Sequence, residues 1–254
     1  MLIAITREVS PNISQCELTH LDRQPIDLAL AQAQHHQYEA ALEALGCQLV
    51  RLPAEPTLPD SVFVEDTAIV LDEIALLTRP GADSRQAETA SIAQALAPYR
   101  TVQPIVAPGI VDGGDVLRIG KRLYVGLSSR SNEAAVAQMA DLLRPFDYSV
   151  QGVQVHGCLH LKSAVTQVSP TMLLVNPVWV DAGLFGDIQV IEVDSEEPHA
   201  ANALLIGDTV VYPTSYPYTA QRLAQYGIQV QRVDVGELIK AEGAVTCCSL
   251  VFTQ

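Results

Sequence analysis

The chain has 254 residues, 48% of them hydrophobic and 17% charged, enough to bury a sizeable core as one large domain or two small ones. Lys and Arg number 15 against 29 Asp and Glu; the formal net charge of −14 repels phosphate backbones and anionic membranes and excludes nucleic-acid and membrane partners. Five cysteines without a regular framework point to a reduced, cytoplasmic protein.

The apolar run at Met1–Arg7 is too short for a signal peptide and reads as a first strand. No stretch reaches the length of a membrane-spanning helix. Pro25, Ile26, Leu30, Ala33, Tyr38, Leu42 and Leu45 follow helical spacing, which stops at Gly46. Strands are expected at Gln48–Leu52, Ser61–Val64 and Ile74–Thr78, then a helix from about Ser84 to Tyr99. The order recurs, with strands near Val102–Val106, Val116–Ile119 and Leu123–Gly126 before a helix at Ser131–Leu143. Beyond these come strands Met172–Val175 and Ile188–Val193 and a hairpin over Leu204–Val211, turned at Gly207-Asp208. A helix at Thr219–Tyr226, ended by Gly227, precedes the strand Ile228–Val233. The units run to roughly 50 residues each without a linker, a pattern of a closed array of weak structural repeats.

Elements far apart in sequence carry the chemistry. Val245-Thr246-Cys247-Cys248-Ser249-Leu250 holds a candidate nucleophile, and Leu159-His160-Leu161-Lys162-Ser163 a histidine able to support its thiolate and handle protons. The turn Asp112-Gly113-Gly114-Asp115 offers a carboxylate to orient the imidazole. If Cys247 and Cys248 lie on a strand, they face opposite ways and only one serves a pocket. Zinc is a rival reading of Cys with His, but no Cys-x-x-Cys or His-x-x-x-His spacing supports a metal site. Neither a metal nor a cofactor is expected.

With Asp60-Ser61-Val62-Phe63-Val64-Glu65-Asp66 and Thr78-Arg79-Pro80-Gly81-Ala82, these motifs occur in one order, and together the chain resembles the dimethylarginine dimethylaminohydrolases of the guanidine-modifying superfamily. The resemblance runs from Leu18 to Ser249. It implies an α/β pentein fold, a five-bladed propeller of ββαβ units with pseudo-five-fold symmetry, with residues 1–254 as a single catalytic domain. It implies Cys247 as nucleophile, His160 as proton donor and acceptor, and Asp112 as the acid that holds the imidazole, with Asp115 structural. Asp66 and Glu65 would hold the guanidinium, Arg85 and Arg130 the α-carboxylate, and Asp60 with the carbonyls of Leu18 and Ala241 the α-amino group. The implied substrate is a free guanidino amino acid, cleaved at its Nω-methylated guanidinium through a Cys-thiouronium intermediate to citrulline and a methylamine. Ile13–Leu21 occupies the lid position, matched loosely apart from Leu18; His20 is a candidate contact. A deiminase of arginine or another free guanidino compound is the main alternative, and a catalytically silent guanidine-binding protein a further one. A monomer and a homodimer are both compatible with the sequence.

Overall fold

A computed structural model of the chain describes residues 1–254. The first strand, β1 (Leu2–Arg7), leads through helix α1 (Leu28–Ala44) to β2 (Cys47–Leu52), which pairs parallel to it. The next unit pairs β3 (Ala68–Val70) antiparallel with β4 (Ile74–Leu77), then returns through α2 (Thr89–Leu96) to β5 (Thr101–Pro104), parallel to β4. The same order recurs in β6 (Val116–Ile119), β7 (Arg122–Leu127), α3 (Glu133–Leu143) and β8 (Ser149–Gln154). After the single turn α4 (Leu161–Ala164) come β9 (Val165–Ser169), β10 (Met172–Val175) and β11 (Gln189–Glu192). The fifth set is β12 (Leu204–Ile206), β13 (Thr209–Pro213), α5 (Pro217–Gln225) and β14 (Gln229–Val233), followed by α6 (Gly236–Ile239). The last strand, β15 (Leu250–Thr253), runs antiparallel to β1 and completes the first sheet, so five three-stranded blades close into a ring.

Residues of β3, β6, β9, β12 and β15, the first strand of each ββαβ unit, line one central cavity. The repeat order expected from sequence is therefore observed as α/β blades around an axis. Ile3 and Ile5 of β1 pack with Leu250 and Phe252 of β15 and with Ile92 and Leu96 of α2, welding the ring closure to the second blade. Burying each such side chain contributes about 1.5–3 kcal/mol. Helix α1 starts where Asp27 accepts the N–H of Leu30 at 3.1 Å and ends before Gly46, whose φ of +90° suits a residue without a Cβ. In the fourth blade a 3-10 turn, Ala182–Phe185, replaces the crossover helix, and buried Phe185 packs edge-on against Tyr124, with ring centroids 4.9 Å apart.

Two expected elements differ. Ser61–Val64 is a turn leading into the 3-10 turn Val64–Thr67, not a strand. Local bonds from Ser61 N to Leu58 O and Phe63 N to Asp60 O curl the backbone, and Val62, Phe63 and Val64 are all buried instead of alternating. The helix from Ser84 begins as a 3-10 segment, Asp83–Glu88, which turns Arg85 and Glu88 inward before α2 starts. The central and outer strands of each blade run parallel, and the loops leaving the ends of β1, β2, β4, β7, β8 and β14 converge on one end of the ring.

Candidate active site

Those loops enclose a cavity lined by Glu17, Asp60, Phe63, Asp66, Arg85, Arg130, Leu159, His160, Ala241, Glu242 and Cys247. It holds only about 20 Å³, room for one water molecule. Seven of the ten residues expected at the site line it, Asp112 lies directly behind, and Glu65 and Leu18 do not line it. Glu17 stands where Leu18 was expected.

His160 sits just before α4, fully enclosed. Its Nε2 is 3.1 Å from Asp112 Oδ2, while Nδ1 lies 3.9 Å from Asp66 Oδ1. Asp112 has no exposed surface, and its Oδ1 accepts the Gly81 N–H at 2.9 Å, so the Thr78–Ala82 motif fixes the carboxylate that fixes the imidazole. The Gly-Gly pair is required by close approach. A Cβ on Gly113 would lie 1.9 Å from Glu65 O, and one on Gly114 would lie 2.5 Å from His160 Nδ1. Asp115 accepts Ser128, Ser131 and the Leu161 N–H at 2.7, 2.6 and 2.9 Å, a purely structural set of bonds that ties the turn to α4.

The electrostatics are sharply divided. Burial opposes a charge on His160, but Asp66, the Asp112 hydrogen bond and Asp115 outweigh it and raise its pKa to about 9. Burial likewise opposes a charge on Asp66, yet His160, Arg85 and the Gly114 N–H hold its carboxyl down at about 2. Burial, with Glu65 and Asp66 nearby, pushes the Cys247 thiol far above its ordinary value. At neutral pH these shifts favour an imidazolium at His160, a carboxylate at Asp66 and a neutral thiol at Cys247.

Cys247 and Cys248 lie in the turn before β15, not on a strand, so their divergence comes from the turn. Cys247 opens to the cavity; Cys248 packs into the core with Tyr38 and Ala31, its Sγ 3.5 Å from Ala244 O.

The chain is 39% identical to the N(G),N(G)-dimethylarginine dimethylaminohydrolase of Streptomyces coelicolor, over 97% of this chain and 95% of that protein. The chain belongs to the dimethylarginine dimethylaminohydrolase family. A cysteine-to-serine mutant of the family's Pseudomonas aeruginosa protein, solved in complex with citrulline, matches with a TM-score of 0.94 at 34% identity, covering 98% of each chain. The N-terminal domain of the cyanobacterial arginine dihydrolase ArgZ, solved with its product, matches with a TM-score of 0.89 at 21% identity over 100% of this chain and 98% of that one, a likeness of fold. The five-bladed propeller is accordingly a pentein fold. No family model matches the chain.

Three of the expected site residues are bonded within the protein. Glu65 turns away from the substrate cavity, because the 3-10 turn sends it and Asp66 to different sides. Its carboxylate bonds Lys162 Nζ at 2.6 Å and Thr246 Oγ1 at 2.7 Å, and its N–H donates to Cys247 O at 3.1 Å. Arg85 is spent largely on protein. Nη1 bonds Asp66 Oδ2 at 2.7 Å, Nε and Nη2 grip Glu88 at 3.1 and 2.9 Å, and Nη2 also bonds Phe63 O, leaving one N–H of Nη1 to meet a ligand. Arg130 is freer, with Thr19 Oγ1 at 3.0 Å and Asp112 at 3.7 Å. Asp60 accepts the Glu17 N–H at 3.1 Å rather than standing open.

Lys162, Thr246 and Asn202 were missed as functional residues. Asn202 bonds Thr246 through both its N–H and C=O, holding the nucleophile turn; Lys162 and Thr246 stood inside motifs, but nothing in sequence spacing pairs them with Glu65. Donor atoms of Asp66, Asp112 and His160 lie within 4.8 Å of one another, the spacing of a metal cluster. Each carboxylate oxygen already accepts from Arg85, Gly114, Gly81 or His160, so the cluster is a hydrogen-bonded charge set.

Proposed function

We propose that the chain, as one catalytic domain over residues 1–254, hydrolyses free Nω-methylated L-arginine to L-citrulline and methylamine or dimethylamine. The observation that carries this reading is the single closed cavity that brings Cys247, His160 and Asp66 together with Arg85 and Arg130. Its charges suit the substrate: Asp66 can face the guanidinium, and Arg130 with the remaining N–H of Arg85 the α-carboxylate.

The mechanism follows from the protonation states. A guanidinium seated against Asp66 places positive charge beside Cys247 and offsets the burial and the carboxylates that keep its thiol neutral, so the thiol gives its proton to solvent and the thiolate forms as substrate binds. Its sulfur attacks the guanidinium carbon. The His160 imidazolium then gives its proton to the departing nitrogen, the C–N bond breaks, dimethylamine leaves and a thiouronium remains on Cys247. Neutral His160 takes a proton from water, which attacks the same carbon; the C–S bond breaks, the new hydroxyl gives its proton to the departing thiolate, and the ureido group of citrulline forms. Asp112 keeps the imidazole oriented through both steps.

Five free cysteines support a cytoplasmic location, and the conversion of a methylated arginine to citrulline places the reaction in arginine metabolism. No helix is long and apolar enough to cross a membrane. The test is stoichiometry. Incubation with Nω,Nω-dimethylarginine is expected to release citrulline and dimethylamine in equal amounts; ammonia in place of dimethylamine would favour the deiminase reading.

A further inference from the structure

Glu242 follows Ala241 on the loop that carries Cys247, and its φ of +58° makes it one of only two non-glycine residues in the left-handed region. An acidic side chain of this length rarely adopts that conformation, and such strain persists where surrounding contacts enforce it. The turn that ends α6 holds this conformation, with the N–H groups of Glu242 and Gly243 donating to Ile239 O and Leu238 O at 3.0 Å, and the side chain so placed bonds the lid. Both Glu242 carboxylate oxygens accept the Thr19 N–H at 3.0 Å, and Oε1 also accepts the N–H groups of His20 and Leu21 at 2.5 and 2.6 Å. Three consecutive backbone N–H groups around one anion form a nest.

Little else holds this part of the lid. Residues 19–25 are exposed and Leu18 is only partly buried. Arg130 reaches Thr19 Oγ1, and Arg23 bonds the carbonyls of Ser14 and Cys16. Asp60 and Ser84 hold only Glu17, one step upstream. A segment with few buried apolar contacts opens at a cost set by its few polar bonds. The segment covers a cavity with room for about one water molecule as it stands, so an amino acid has to displace it to enter. Glu242 also stands at the border between the substrate cavity and a neighbouring one lined by His20, Leu21, Cys158 and His199, both cavities sharing Leu159.

We propose that Glu242 is a positioning residue: it latches Thr19–Leu21 over the amino-acid end of the substrate and sets substrate retention, not the chemical step. The proposal rests on the reading of the cavity as a site for a free guanidino amino acid. Glu242→Gly separates latch from fold, because glycine relaxes into the left-handed conformation while the carboxylate is lost. Glu242→Gln keeps one acceptor oxygen. Glu242→Gly is expected to keep its thermal stability and raise KM for Nω,Nω-dimethylarginine roughly tenfold, with kcat changed by less than about threefold. Deuterium uptake over residues 17–23 of the substrate-free protein should quicken, and Glu242→Gln should recover part of both effects. A KM within about twofold of the parent, or unchanged lid exchange, overturns the latch. Should the parent release no citrulline, the functional reading fails by itself, and lid exchange still decides the latch.

Discussion

Burial and the nearby carboxylates favour a neutral thiol at Cys247, and Asp66, Asp112 and Asp115 favour a charged ring at His160. Cys247→Ser is expected to abolish citrulline release, since a serine hydroxyl beside the same carboxylates is a far poorer nucleophile. Cys248→Ser should retain most turnover, because its Sγ faces Ala244 O inside the core and a hydroxyl can donate the same bond. Single-turnover assays of the pair check this; survival in the first and loss in the second would reverse the assignment. His160 makes a prediction in pH. Its pKa near 9 keeps the proton-donating form present through neutral pH, so kcat/KM should fall as pH rises through about 9. Asp112→Asn removes one of the contacts that raise this value, and its alkaline limb should move to lower pH. The same shift bears on folding. The imidazolium gains its carboxylates only in the native state, so its stabilisation is whole below pH 6.5, the ordinary value, and is lost as pH rises through 9.

At the scale of elements, α1 carries a cost that its spacing concealed. The periodic apolar residues from Ile26 to Leu45 were legible, and so was the stop at Gly46. His35 was not: it is buried on the inner face, neither ring nitrogen makes a hydrogen bond, and Glu39, 3.6 Å away, is already engaged by Thr6 and Arg51. Burial, only partly opposed by Glu39, lowers its pKa to about 4. Below pH 6.5 the unfolded chain binds a proton that the native one refuses, so stability falls between pH 6.5 and 4, by roughly 3 kcal/mol at the end. His35→Leu should flatten this limb, and thermal melting from pH 8 to 4 shows whether it does. Other elements explain why sequence reading stops where it does. The strands β3, β9 and β15 are only three to five residues long, too short for alternation to show, and β15 finds its partner β1 at the other end of the chain. The apparent strand at Ser61–Val64 has strand composition, yet all three of its apolar residues are buried in a turn. Motif order located Cys247, His160, Asp112 and Asp66; it could not show that Arg85 is committed to Asp66 and Glu88, because those bonds depend on an inward 3-10 turn.

The whole molecule is a ring closed by its own ends. Leu250–Thr253 pairs with β1, and Cys247 stands just before that strand, so the proposed nucleophile is set by the same pairing that completes the first blade. His160 comes from the loop after β8, Asp66 from the turn after β2 and Arg130 from the loop after β7. The site therefore exists only when the blades have assembled, which is why five short motifs scattered over the chain read as one constellation. The net charge of −14 adds a field that favours a cationic substrate. A methylated arginine is the expected choice among such substrates. That choice is tested most directly by kcat/KM for Nω,Nω-dimethylarginine, Nω-monomethylarginine, arginine and agmatine under one set of conditions. The methylated arginines should lead, and agmatine, lacking the α-carboxylate that Arg130 and the remaining N–H of Arg85 would meet, should trail them by about tenfold or more. A preference for arginine would contradict the account in favour of a deiminase, and a preference for agmatine would contradict the carboxylate clamp itself.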